Sequence, residues 1–154
     1  MIDFLMLLHL LGVIVWVGGM FFAHMALRPT AAALLSPAQR LPLLAGIFTR
    51  FFPWVWVSIV LILSSGSYGM ILLGGFKVGG HIHAMLAIGM AMMAIFSYIY
   101  FVPFPRLKQS VLKQDWPVAG MAMARIRLLV GVNLILGLAA TVIALLGRLL
   151  IMGS

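Results

Sequence analysis

A chain of 154 residues that is 65% hydrophobic and only 8% charged, with a mean hydropathy of +1.24, has too little polar surface to stay in water. This excludes a soluble globular domain and makes the chain an integral membrane protein. Ten basic residues stand against two acids, a net charge of +8, and the absence of cysteine excludes disulfides, thiolate nucleophiles, iron–sulfur clusters and thiolate-bound metals.

The first apolar stretch runs from about Phe4 to Leu27, long enough to cross the hydrocarbon core of a bilayer. No basic residue precedes it and no small-residue cleavage pattern follows, so it is expected to be retained and not removed as a signal. Along it His9, Gly12, Trp16, Gly19 and Ala23 recur at helical spacing, which puts an imidazole on one face with two glycines and an indole. An ionisable group is costly inside a membrane, and that makes His9 a site candidate. The loop that follows holds Pro29, Pro37, Pro42 and Pro53 with Arg28, Arg40 and Arg50. Its "SPAQRLPLLAGIFTR" predicts a short interfacial helix opened by Ser-Pro.

The second span, about 54–73, ends in "SSGSYGM", Ser64 to Met70, small and polar where lipid-facing sequence would be leucine. Beyond it come Lys77 and His81. The third span, about 82–102, begins at His83 and contains "MLAIGMAMM", whose methionines cover every face of a helix and suit flexible core filling. A second loop carries Pro103, Pro105 and Pro117, and "DWPVAGMAMARIR" predicts another interfacial helix with Asp115 as cap. The fourth span, about 128–146, has Gly137, Ala140, Thr141 and Ala144 for close helix packing, a reading open to Gly12 and Gly19 as well, and Asn133 for an interhelical hydrogen bond.

The pattern predicts an all-α fold, a four-helix up-down transmembrane bundle with short cytoplasmic interfacial helices, in one membrane domain spanning 1–154. A barrel is excluded because the apolar runs are continuous and do not alternate. Eight of the ten basic residues fall in the two loops just described and two, Lys77 and Arg148, on the other side. The bias puts those loops in the cytoplasm and both termini in the periplasm of a bacterial inner membrane. The positive charge is then a topology signal and a contact for anionic lipid headgroups, and no nucleic-acid groove is expected.

Asp3 and Asp115 lie near opposite membrane faces, so no carboxylate pair serves acid–base chemistry, and no catalytic residue emerges. His9 and His83 start parallel helices and share the outer leaflet, whereas His24 belongs to the inner one and His81 reads as an interfacial residue. If the two parallel helices are diagonal partners, their axes lie about 14 Å apart, room for a flat ring between two imidazoles. That favours a b-type haem ligated by His9 and His83, lined by Gly12, Trp16, Gly19 and Ser65, with Lys77 pairing a propionate. Two axial imidazoles favour electron transfer, with a quinone or a membrane redox protein as partner. The alternative is a soft copper site in the same half, Met6, His9, Met70, His83 and Met85, suited to Cu(I). A third reading is a structural subunit of a membrane complex.

"LHLLGVIVWVGGMFF", Leu8 to Phe22, resembles the first-helix signature of the membrane domain of copper resistance protein D, a leucine-histidine pair followed by a tryptophan and paired glycines. The resemblance continues through Arg28-Pro29, Ser65-Gly66, "HIHAML" and "RIRLLVGVNLILGL", touching all four spans. More remotely the chain is similar to the HemJ-type protoporphyrinogen oxidases, which tend to carry Trp-Thr-Lys where this chain has His81-Ile82-His83. The first resemblance implies copper uptake across the inner membrane. The second implies haem b and electron transfer. From the shared first-helix pattern His9, Trp16 and Gly19 carry over, and from the third helix His83.

Overall fold

In the computed structural model, which describes residues 2–72 and 80–152, the chain is helical almost throughout. Four helical stretches, Asp3–Leu34, Pro37–Leu72, Gly80–Leu112 and Trp116–Gly147, are long and apolar enough to cross a membrane. The all-α bundle expected from the sequence is therefore the fold, and the protein is a multi-pass membrane protein whose outer surface lies in lipid.

Helix α1, Ile2–Phe22, is an unbroken apolar run without proline. It does not stop at Phe22 but widens into a π turn, Ala23–Leu27, in which the Arg28 N–H reaches back five residues to the Ala23 carbonyl. The cause is Pro29, which has no N–H and whose ring crowds the carbonyl four residues earlier; a wider turn relieves that crowding. Helix α2, Arg28–Leu34, then carries the proline in its first turn, where the missing donor costs nothing.

Helix α3, Pro37–Leu72, runs through both Pro42 and Pro53. At its start the Ser36 N–H donates to Gln39 Oε1 at 3.3 Å, half of a capping box. Its 36 residues span about 54 Å at 1.5 Å per residue, against a hydrocarbon core of about 30 Å, so a proline-bearing leg stands beyond the core. The expected interfacial helix at "SPAQRLPLLAGIFTR" is thus the first part of a spanning helix, not a separate element.

Helix α4, Gly80–Phe101, is followed by the short α5, Pro103–Leu112, which buries Phe104, Leu107 and Ser110 along one face. The Lys108 ammonium sits 4.7 Å from the Phe104 ring centre. A turn through Gln114, the one non-glycine residue with positive φ among the described residues, at 57°, joins it to α6, Trp116–Met152. The Val118 N–H donates to Asp115 Oδ1 at 3.2 Å, the cap expected from the sequence, and here too the interfacial segment continues directly into the span.

Helix α1 packs along α3 and α6, and α4 along α6. Aromatic rings fill the space between α3 and α4: Phe52 and Trp56 each meet Phe96 with centroids 5.3 Å apart, and Phe52 meets Phe104 of α5 at 4.7 Å. Trp16 reaches Phe96 from the opposite corner at 6.1 Å, edge to face, so α1 and α4 are the diagonal pair.

Candidate functional site

The α1/α3 seam is built from the face that the sequence singles out. His9 Nδ1 lies 3.1 Å from Ser65 Oγ. The Ser65 hydroxyl itself donates to the Leu61 carbonyl, one turn back. A hydroxyl has one proton, so Ser65 Oγ receives the Nδ1–H of His9, and the lone pair of the imidazole is left on Nε2. Gly66 brings the α3 backbone under the ring, where an added Cβ would stand 3.5 Å from His9 Cε1. His9 is half-buried and Ser65 is buried, so the arrangement is an oriented imidazole with a protein partner on one of its nitrogens.

Further along the seam the glycines take the packing role, one of the two open to them. A Cβ on Gly12 would stand 2.9 Å from Ile62 Cγ1, and one on Gly19 would overlap the Phe51 ring. Both notches are filled by α3, so Gly12 and Gly19 let two helices approach and leave no room there for a flat ring. Trp16 is 2% exposed and packed on Phe96, a core residue in the middle of the bundle. The residues present do not make the cradle that a haem lined by these positions needs.

Neighbour pairs fix the depths of the remaining candidates. Val17 meets Gly137 and His24 meets Gly131 across α1 and α6, while His81 meets Gly147 and Met92 meets Gly137 across α4 and α6. Stepping along these antiparallel pairs sets His9 and His83 at about the same depth on diagonal helices. His83, Met70 and Met85 are half-buried, and Met6 is 58% exposed. The ring of His81 occupies the notch at Gly147, a packing role. Lys77 lies outside the described residues. Among the described residues no three histidine or acidic side chains gather into one metal-holding group.

Below this end the core holds Met20, Met92 and Met93, all buried, beside Asn133. Asn133 Nδ2 donates to the Met92 carbonyl at 3.1 Å, the interhelical bond that its place on the fourth span suggests. Its Oδ1 is buried and has no partner among the described residues. Because the donating amide fixes which end is nitrogen, Oδ1 is an acceptor held ready at mid-depth. Deeper still, His24 and Met123 line a small cavity of about 20 Å³. The sequence signals for these soft groups were present, a histidine and methionines in apolar runs, but their convergence is a tertiary fact.

The family model described as copper resistance protein D, CopD, matches residues 45–146, well over half of the chain. No curated protein and no solved structure matches it. The more remote likeness to the HemJ-type oxidases thus finds no support in these comparisons.

Proposed function

The chain belongs to the copper resistance protein D family, and from that premise we propose that it takes up or hands on copper as Cu(I) in a bacterial inner membrane, with both termini on the outer face. The observation that carries the reading beyond the family is the His9–Ser65 pair, which leaves Nε2 of His9 as a free, oriented donor in the outer half. Imidazole and thioether are soft ligands matched to Cu(I), and His83, Met70 and Met85 supply further donors toward the same end. The buried thioethers of Met20, Met92 and Met93 continue the soft lining inward, with His24 and Met123 beyond them.

In this mechanism the bundle provides a dry path in which the cation exchanges one soft ligand for the next. Ser65 keeps the His9 ring in the tautomer that binds metal.

The test is Cu(I) titration of the purified protein against a chromophoric chelator, followed by Cu(I) uptake into proteoliposomes. Wild-type protein is expected to bind and transport copper, and His9→Ala to lower affinity at least about tenfold. Equal affinity and transport in the two proteins would remove His9 from the path. An optical spectrum belongs with it: the protein is expected to be free of a Soret band, and a band lost in both His9→Ala and His83→Ala would restore the haem reading.

A further inference from the structure

The end of the bundle opposite His9 contains a cavity of about 320 Å³. Three arginines line it, each from a different helix: Arg28 from α2, Arg40 from α3 and Arg127 from α6. Among the described residues none of their guanidinium groups makes a hydrogen bond or ion pair within the protein. Three other basic side chains at this end do have partners, while Arg106 and Lys113 stand outside the cavity without one among the described residues. Arg50 donates to the Gly46 carbonyl, Arg125 to the Tyr98 hydroxyl, and Lys108 rests on Phe104.

Arg40 and Arg127 are the two charges that press on Arg28. Three like charges around one hollow repel each other, and the only nearby acid in the sequence, Asp115, is committed to the backbone at the start of α6. A topology signal needs basic residues on the cytoplasmic side but does not need them to converge. The cavity wall adds a second source of positive potential. Pro37 is the first residue of α3, which starts at the cavity with its positive dipole end, whereas the start of α6 at Trp116 and Pro117 is already capped by Asp115.

We propose that this cavity binds a phosphate-bearing anion, held by Arg28, Arg40 and Arg127 between the N-termini of α3 and α6. Guanidinium forks match phosphate oxygens in pairs, and the dipole of α3 favours the same negative charge. The volume is that of a small-ligand pocket, large enough for a phosphate with a further polar group attached. The phosphate belongs either to a lipid headgroup or to a free ion, and both present the same oxygens. The site is independent of the copper reading and stands or falls apart from it.

The experiment uses the full chain in a phosphate-free maltoside detergent, with binding read by native mass spectrometry and by thermal unfolding. One arm adds phosphatidylglycerol and, as its control, diacylglycerol without the phosphate. The other adds inorganic phosphate against chloride at equal ionic strength. Saturable binding in either arm is expected, weakened at least tenfold in Arg40→Gln and in Arg127→Gln and unchanged in Arg106→Gln, an exposed arginine of α5 outside the cavity. The two variants sit on different helices, so a folding failure in one leaves the other to decide. Binding of phosphatidylglycerol alone assigns a lipid headgroup, and binding of inorganic phosphate assigns a free anion. No binding in either arm, or equal weakening by Arg106→Gln, would overturn the proposal.

Discussion

A histidine inside an apolar run stands out in the sequence because its burial needs a reason, and His9 was legible for that cause alone. Ser65 was legible as a small polar residue of the same half, but its bond to the ring was not. Ser65 lies 56 positions away, and a serine in a membrane helix satisfies its own hydroxyl on the preceding turn whether or not a histidine faces it. The Oδ1 of Asn133 was equally hidden, since the sequence marks the residue but not which of its atoms finds a partner. The pairing of His9 with Ser65 has a measurable consequence. Ser65→Ala removes the hold on the ring while deleting only one polar atom, so stability should change by less than about 1 kcal/mol. Cu(I) affinity is expected to fall about tenfold as the ring loses its fixed tautomer. A chelator competition on folded Ser65→Ala protein decides it, and an unaltered affinity would show that the serine has no part in ligand orientation.

At the scale of elements, the four spans were readable from apolar length, but their ends were not. Prolines punctuate soluble helices, and Pro42 and Pro53 invite breaks that the chain does not make, because both are absorbed inside α3. The π turn at Ala23–Leu27 left no mark in composition beyond the proline that follows it. The small residues of α1 suit either a ligand or a close helix neighbour, and α3 fills them. Periodicity identifies a face; only packing says what stands against it. The Gly19 contact yields a direct expectation: in Gly19→Leu the new side chain collides with the Phe51 ring, and the α1/α3 seam opens. Overpacking of a tight contact costs typically 1–3 kcal/mol, about that range here, read as earlier thermal unfolding in detergent. Gly18→Leu, whose added Cβ meets nothing within 4 Å, is the control, and equal losses in the two would refute the assignment.

For the whole molecule, the asymmetry of charge was the most legible property and the convergence of three arginines on one hollow the least, because it needs three helices in place. The expected topology is open to direct measurement since the chain has no cysteine of its own. With Ser36→Cys at the basic end and Asp3→Cys at the other, a membrane-impermeant maleimide applied to intact spheroplasts is expected to label only the second. Labelling of Ser36→Cys alone would invert the orientation and with it the direction of copper movement. The two ends are also joined by one continuous piece of backbone. Pro53 deletes a rung from α3 between the leg that carries Arg40 and the arm that carries Ser65. In mechanical terms α3 is a two-armed lever with its compliant point at Pro53, where the stacked rings of Phe48 and Phe52 and the edge of Phe104 form the bearing. Restoring the rung in Pro53→Ala should stiffen that point and slow amide deuterium exchange from Thr49 to Val57. Unchanged exchange would mean that the rod was already rigid; slower exchange would mean that a tilt imposed at the arginine leg is transmitted to the serine that aims His9.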